Sequence, residues 1–261
     1  MNIQCRAVAS LILLLVATSA NAAPILWIDD VFGRIGTVDV ATGNSTVVGS
    51  AGVLLTDIAF DPNGNLYGIS FDNLYRINTT TGVATLIGGS FPASLNALTF
   101  SSTGTLYGAA TGNGFYTINT TTGAATLVGN IGSSSAGDLA FHNGVLYLSS
   151  GTGNLVSINV GTGAGTIIGS LGPAAGAFGL ANGDNNVLYA VNGSNIYSVN
   201  TATGAGTLVV AYGGALSGAN GTAFFQEAAV PTIPEPETYA MLLAGLGLMG
   251  FLARRRKHKS D

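Results

Sequence analysis

The stretch NTTTGVATLIGG at residues 78–89 returns almost unchanged as NTTTGAATLVGN at residues 119–130. Its first glycine has equivalents along the whole chain, at spacings of 39, 41, 40 and 41 residues. A period near 40 residues is typical of propeller blades and of helical-pair repeats. The equivalent glycines are Gly43, Gly82, Gly123, Gly163 and Gly204.

Each period contains four short segments that have the composition of strands. In the second period they lie at residues 56–60, 66–70, 74–78 and 84–88. They are rich in Val, Ile, Thr and Tyr, are separated by Gly or Asn, and show no apolar stripe of period 3.6. Four antiparallel strands in a radially repeated unit form a β-propeller blade, and helical repeats are therefore excluded.

An Asp or Asn stands four residues before each repeated glycine. Such a side chain accepts a hydrogen bond from a backbone N–H two residues on, and the glycine tolerates a positive φ. The motif therefore predicts a hairpin turn between the third and fourth strands of every blade. The alternative is a ring of ligand-binding Asn and Thr side chains. The residues concerned are Asp39, Asn78, Asn119, Asn159 and Asn200.

The first period lacks its first strand. The segment ILWID at residues 25–29 matches the second strand of the other periods, and the missing strand reappears as GTAFF at residues 221–225. We therefore expect the C-terminal strand to complete the N-terminal blade, which removes the exposed sheet edges. The predicted fold of residues 23–230 is an all-β, five-bladed propeller with a closed ring.

One aromatic residue recurs at an equivalent position in every period. Large flat side chains there would fill the space between neighbouring blades, and a ring of sugar-stacking aromatics is the alternative. The residues are Trp27, Tyr67, Tyr107, Tyr147 and Tyr189.

The N-terminus has the organisation of a signal peptide. Arg6 precedes an apolar run at residues 11–16, and small residues stand at Ala20 and Ala22. This pattern predicts cleavage after Ala22, with residues 1–22 removed by signal peptidase on export. An uncleaved N-terminal anchor is the alternative. The single cysteine, Cys5, lies within this segment, so the mature chain is expected to have no disulfide.

The C-terminus combines a Pro-rich spacer at residues 231–238 with an apolar and basic segment at residues 239–261. Its apolar part, residues 239–253, would span about 22 Å as a helix, which is shorter than a hydrocarbon core of about 30 Å. We predict a short membrane helix whose basic end stays cytoplasmic as a stop-transfer signal. That basic end consists of Arg254, Arg255, Arg256 and Lys257.

The segment PEPETYAMLLAGLGLMGFLARRRK resembles the PEP-CTERM sorting signal of Gram-negative bacteria that produce exopolysaccharide. The resemblance rests on the Pro-Glu-Pro motif, the short apolar helix and the arginine cluster. It implies recognition of Pro234, Glu235 and Pro236 by an exosortase, a membrane-embedded transpeptidase. It also implies a transient inner-membrane anchor, followed by release to the cell surface or the extracellular space.

Charge is scarce between the two ends. Residues 24–230 contain two basic side chains, Arg34 and Arg76, against nine acidic ones. A domain this acidic does not neutralise a phosphate backbone, so nucleic acid is excluded as a partner.

Two groups of residues with carboxylate or amide oxygens are candidates for cation binding. Asp61, Asn63 and Asn65 resemble the start of an oxygen-rich calcium loop, although the same residues also suit a tight turn between two strands. Asp29 and Asp30 form a second group with Asp72, because both segments fall after the second strand of a blade. No other cofactor is predicted.

No catalytic residue is predicted. The only histidine of the domain, His142, lies about 13 Å along one strand from Asp138, too far for a triad with Ser149. A zinc site also needs several His or Cys ligands. We therefore expect His142 to be a solvated turn residue.

The functional hypothesis is a surface-sorted, non-enzymatic binding or structural module associated with exopolysaccharide or biofilm matrix. A second hypothesis is an extracellular polysaccharide lyase or hydrolase, which would need two acids about 5–10 Å apart at the mouth of the channel. A third is an ice-binding protein that presents the Thr-rich turns as a flat array.

Overall fold

The computed structural model describes residues 24–225, together with Leu246 and Met249, which are helical. Within residues 24–225, twenty strands form five four-stranded antiparallel sheets, which confirms the five-bladed propeller. The signal peptide, the spacer with its Pro-Glu-Pro motif, and the basic cluster lie outside the described residues, as does most of the predicted membrane helix. No helix in the described part of the chain is long and apolar enough to cross a membrane.

The strands of each blade run in chain order from the axis outwards, except in blade 1. Blade 1 contains β1 (Ile25–Asp30), β2 (Arg34–Asp39) and β3 (Ser45–Ser50). Blade 2 contains β4 (Asp57–Phe60), β5 (Leu66–Ile69), β6 (Asn73–Ile77) and β7 (Ala84–Gly89). Blade 3 contains β8 (Leu95–Phe100), β9 (Leu106–Ala110), β10 (Gly114–Ile118) and β11 (Ala125–Asn130). Blade 4 contains β12 (Ser135–His142), β13 (Val145–Ser150), β14 (Asn154–Ile158) and β15 (Gly165–Ser170). Blade 5 contains β16 (Gly179–Asn182), β17 (Leu188–Asn192), β18 (Asn195–Val199) and β19 (Gly206–Ala211). A 3₁₀ turn at Gly172–Ala174 links blades 4 and 5.

The last strand, β20 (Ala219–Phe224), closes the ring as predicted. It pairs antiparallel with β1, so that Trp27 lies opposite Ala223. It also packs between β16 of blade 5 and β4 of blade 2, which makes it the inner strand of blade 1. The two ends of the domain are therefore neighbours in one sheet.

A second set of contacts, which the sequence did not reveal, reinforces closure at the outer side. Asn44 forms a parallel bridge with Gly213 in the loop between β19 and β20. The Ser45 hydroxyl donates to the Gly213 carbonyl at 2.5 Å and accepts from the N–H of Ala215 and Leu216. The outer strand of blade 1 is thus tied to the segment that leads into β20.

The repeated turns have the predicted geometry. In all five copies the Asp or Asn side chain accepts a hydrogen bond of 2.8–2.9 Å from the N–H two residues on. The glycines that follow have φ between 73° and 84°. Because the side-chain oxygens are used inside the turn, the structure supports the turn over a ligand-binding ring.

The turns also pack against the outer strand of the preceding blade. In four blades a glycine on that strand lies so close to the next turn that an added Cβ would collide with a threonine carbonyl oxygen. This contact explains why the second glycine of the motif recurs as well as the first. The pairs are Gly49 with Thr81, Gly88 with Thr122, Gly129 with Thr162 and Gly169 with Thr203.

The hydrophobic core is divided into layers between neighbouring blades, each layer containing residues of two adjacent blades. The aromatic column belongs to these layers. Trp27 meets Phe60 of the next blade at a centroid distance of 5.5 Å, and Tyr67 meets Phe100 at 5.2 Å. Tyr107 and Tyr189 make equivalent contacts with Phe141 and Phe224. The predicted packing role is confirmed.

The interface between blades 4 and 5 differs, and it corrects the expectation for His142. Blade 5 has Asn182 where the inner strands of the other four blades have Phe at the equivalent position. His142 is buried rather than solvated, and its Nδ1 lies 2.8 Å from Asn182 Oδ1. A polar pair therefore replaces the aromatic contact at this interface.

Candidate functional site

A cavity of about 390 Å³ opens at one end of the propeller axis, and we call it the axial pocket. It lies at the end where the loops between blades enter the inner strands. Its lining contains the residue that precedes the same inner-strand position in all five blades, so it exists only because the ring is closed. These residues are Thr56, Asn96, Gly137, Phe178 and Asn220.

Hydrogen bonds between blades make this floor rigid. Asn220 Nδ2 donates to the Leu55 carbonyl at 3.1 Å, and Asn96 Nδ2 donates to the Ala136 carbonyl at 3.0 Å. The Thr56 hydroxyl lies within reach of two backbone carbonyls of blades 2 and 3. Each side chain thus bonds a backbone carbonyl at the inner end of a neighbouring blade, and the pocket is formed before any ligand arrives.

Two polar atoms at the floor have no hydrogen-bond partner among the described residues. They are Asn96 Oδ1 and Ser135 Oγ, and both are out of contact with solvent. The amide orientation follows from the Asn96 Nδ2 donation to Ala136, which leaves Oδ1 free to accept. Since an unsatisfied buried polar group costs about 1–3 kcal/mol, these atoms favour a ligand that donates hydrogen bonds.

The rim of the axial pocket is apolar and aromatic. Leu54, Phe71 and Phe178 line it and remain exposed. Phe178 lies against Gly137, where an added Cβ would be only 2.8–2.9 Å from the phenylalanine. None of the residues that line the pocket is ionisable. The site therefore suits an uncharged ligand that has both an apolar face and hydroxyl groups.

A layer of buried carboxyls lies directly beneath the floor, and we call it the axial layer. Asp57 and Asp138 occupy the same position on the inner strands of blades 2 and 4, and Asp29 approaches from β1. Asp57 and Asp138 interact through their side chains, and this interaction raises the pKa of Asp57.

Backbone N–H groups of neighbouring blades fix the pair. Asp57 accepts from the N–H of Leu98 in blade 3 at 2.5 Å. Asp138 accepts from the N–H of Leu180 in blade 5 at 2.5 Å and from the Thr222 hydroxyl at 3.0 Å. The axial layer therefore links the inner strands of all five blades.

Burial raises the pKa of two carboxyls in this layer. Burial raises the pKa of Asp57 well above its usual value, and the charges of Asp138 and Asp29 raise it further. Burial likewise raises the pKa of Asp29, although the nearby N–H groups of Asp29 and Gly221 oppose the shift. Neither oxygen of Asp29 has a hydrogen-bond partner of good geometry in the described part of the chain.

The candidate acidic residues from the sequence are distributed differently from the expectation. Asp30 diverges from Asp29 and forms an ion pair with Arg34, while Asp72 is exposed in its own blade. The expected group of Asp29, Asp30 and Asp72 is therefore wrong as one site. The sequence did contain a signal for the axial layer. When the five inner strands are aligned, the position of Asp57 holds Asp in blades 2 and 4, Ala in blade 3, and Gly in blades 1 and 5.

The Asp61 turn lies at the opposite end of the propeller. Asp61 Oδ1 accepts from the N–H of Asn63 and Asn65, and Oδ2 accepts from Asn65 Nδ2 at 2.8 Å. These are the contacts of a tight turn, and calcium binding there stays a prediction. Among residues 24–225, no group of three or more His, Cys, Asp or Glu is arranged to hold a metal ion.

A family model described as a repeat of unknown function (DUF6923) matches residues 57–227. The chain belongs to this family. The PEP-CTERM protein-sorting motif matches residues 232–257, which confirms the resemblance found at the C-terminus. The DUF6923 repeats are therefore carried by an exported chain that an exosortase recognises, with membrane-associated processing followed by surface location. Among the curated proteins, none matches the chain by sequence.

Solved structures resemble this DUF6923 chain in fold. A chain of a nidogen/laminin complex is 12% identical with a TM-score of 0.52, covering 77% of this chain and 97% of its own. A symmetrical protein described as having emerged de novo in evolution is 19% identical, with a TM-score of 0.51 and coverages of 74% and 96%. A gluconolactonase from Xanthomonas campestris is 14% identical, with a TM-score of 0.50 and coverages of 74% and 78%. At these identities the likeness shows the fold alone.

Proposed function

We propose that the protein is a surface-sorted, non-enzymatic binding module whose axial pocket takes a neutral sugar residue of the exopolysaccharide. The observation that supports this most is the pair of unpartnered atoms, Asn96 Oδ1 and Ser135 Oγ, at the floor of an uncharged pocket. The cavity of about 390 Å³ falls within the range of about 300–1,000 Å³ for small-molecule sites.

A sugar ring matches the chemistry of both parts of the pocket. Its C–H face can lie against Phe71 or Phe178 at the rim. Its hydroxyls can donate to Asn96 Oδ1 and Ser135 Oγ after a side-chain rotation, because both atoms are out of contact with solvent in the free protein. Phe71 and Phe178, rather than the aromatic column packed between the blades, are then the sugar-contacting aromatic residues. No charged group is needed on the ligand, because none lines the pocket.

The two alternative functions have less support. The polysaccharide lyase or hydrolase of the second hypothesis needs carboxyls in contact with its substrate, whereas Asp57 and Asp138 are fully buried beneath the floor. An ice-binding surface needs a flat threonine lattice, whereas the Thr-rich turns are distributed one per blade around the ring.

Two buried serines of blade 4 provide a matched test. Ser135→Ala removes an unpartnered hydroxyl, so we expect binding to weaken about five- to tenfold without loss of stability. Ser149→Ala removes a hydroxyl that donates to the Ala177 carbonyl at 2.9 Å. It should lower the melting temperature and leave binding unchanged.

The measurement is calorimetric titration of the full chain in detergent with neutral gluco- and galacto-oligosaccharides. Binding that weakens in Ser135→Ala but not in Ser149→Ala supports the proposal. No binding by the parent chain, or equal binding by both variants, would contradict it.

A further inference from the structure

A second concavity, of about 400 Å³, lies at the opposite end of the propeller from the axial pocket. It is formed between the Asp61 turn and the NTTTG turn of blade 2, and we call it the Arg76 pocket. In contrast to the axial pocket, its lining is mostly polar. The residues are Gly64, Asn65, Leu66, Arg76, Ile77, Asn78, Thr79, Thr80 and Thr85.

Arg76 departs from the repeat at a position that the fold leaves open. It lies on the third strand of blade 2, opposite Tyr67 of the aromatic column. The residues in the same register of the other blades are small and carry a hydroxyl group. They are Thr37, Thr117, Ser157 and Ser198. Four blades therefore form without an arginine here, and packing does not require one.

The guanidinium of Arg76 is positioned but not neutralised. Its Cζ lies 4.8 Å from the centroid of the Tyr67 ring, a cation–π geometry. The other arginine of residues 24–225, Arg34, is paired with Asp30, whereas Arg76 forms no ion pair within the described residues. In an acidic domain with two basic side chains, one of them is thus left without a counter-charge in a concave site.

The surroundings of Arg76 supply neutral hydrogen-bonding groups. Thr79, Thr80 and Thr85 are exposed, and their hydroxyls have no partner in the described part of the chain. The acid of the adjoining turn, Asp61, has both carboxylate oxygens occupied by N–H donors of Asn63 and Asn65. A ligand thus meets one cation surrounded by hydroxyls.

We propose that the Arg76 pocket binds the carboxylate of an acidic sugar, a uronate unit of an anionic polysaccharide. A guanidinium forms two parallel hydrogen bonds with a planar carboxylate, and the threonine hydroxyls match the remaining hydroxyls of the sugar ring. Because the rest of the domain is acidic, recognition of a polyanion depends on this single cation. The inference does not rest on the axial pocket, which lies at the other end and has no charged lining.

The test is titration of the full chain in detergent with trigalacturonate, galactotriose and inorganic phosphate at low ionic strength. We expect trigalacturonate to bind, and galactotriose to bind this pocket at least tenfold more weakly. Arg76→Thr, which installs the residue of blades 1 and 3, should weaken trigalacturonate binding at least tenfold with an unchanged melting temperature.

The Arg76→Thr/Thr117→Arg double variant controls for net charge. It has the charge of the parent chain but places the arginine in blade 3, so trigalacturonate binding should stay lost. Three results would overturn the proposal: the double variant regains trigalacturonate binding, Arg76→Thr binds trigalacturonate as tightly as the parent chain does, or the parent chain does not bind it. Phosphate that binds as tightly as trigalacturonate would overturn the assignment to a uronate. Ser135→Ala should leave trigalacturonate binding intact, which separates the two sites.

Discussion

At the scale of single residues, the axial layer shows how a repeated fold becomes asymmetric at its centre. The equivalent positions of the five inner strands hold Asp57, Ala97, Asp138, Gly179 and Gly221. Any side chain at Gly221 would collide with Asp57 and Asp29. Small residues therefore provide the space that the carboxyls occupy.

Asp29 is the least compensated member of this layer, and Asp29→Asn is expected to stabilise the protein at neutral pH. Burial raises its pKa above the usual value of 3.8. A raised folded-state pKa contributes stability that is complete below the unfolded-state pKa and is lost as pH rises through the folded-state pKa. The free energy of unfolding of the parent chain should therefore fall as pH rises above about 4, and the variant should lose part of this slope.

Denaturant unfolding at pH 4, 6 and 8 measures this effect, with a gain for Asp29→Asn on the order of 1 kcal/mol at pH 8. Asp39→Asn is the matched control, because it removes a turn carboxylate and installs the residue of the other four turns. An unchanged pH slope in Asp29→Asn would show that the Asp29 carboxyl does not titrate in the folded state as described.

The residue scale is also where sequence-based prediction was weakest. The sequence predicted that Asp57 and Asp138 lie on strands of blades 2 and 4. The residues around each of them in the sequence do not show that the two side chains meet at the propeller axis. The burial of His142 depends on Asn182, which is 40 residues away in the chain. Contacts across the ring depend on neighbours that a single period does not contain.

At the scale of strands and turns, the contact between each hairpin turn and the preceding blade gives the repeat its rigidity. Gly129 on β11 faces the Thr162 carbonyl of the next turn, with no space for a Cβ. At the fifth junction Val210 occupies this strand position, and its side chain lies against the Gly43 turn. The bridge from Asn44 to Gly213 is found at that junction instead.

Gly129→Ala should therefore be destabilising through steric overlap alone, because its φ is not in the positive region. The turn of blade 4 has to move away from β11, and overpacking of this kind costs about 1–3 kcal/mol. Thermal unfolding should show a lower melting temperature. Gly112→Ala is the control, since a Cβ there meets nothing within 4 Å; an equal loss in the control would contradict a steric origin.

Secondary structure was more accessible from the sequence than packing was. The strand segments, the Asx turns and their glycines follow from local composition, so the period of about 40 residues was sufficient to predict them. The contact of turn and preceding strand was not predicted, because the second glycine of the motif has no local conformational reason to recur in four of the five periods. Its reason is the neighbouring blade.

At the scale of the whole molecule, closure joins segments from opposite ends of the domain. β20 supplies the inner strand of blade 1, and Asn220 at its start supplies part of the axial pocket floor. The closure was predicted by counting strands, whereas the axial pocket was not, since its lining combines single residues from five periods. The axial pocket and the axial layer both depend on the closed ring, whereas the Arg76 pocket is lined by residues of blade 2 alone.

Hydrogen exchange of the full chain, followed by mass spectrometry, tests this closure most directly. If β20 is an integral strand paired with β1, peptides covering residues 219–225 should exchange as slowly as those covering β8, in one cooperative opening. Fast exchange of residues 219–225 while β8 stays protected would contradict the closed ring.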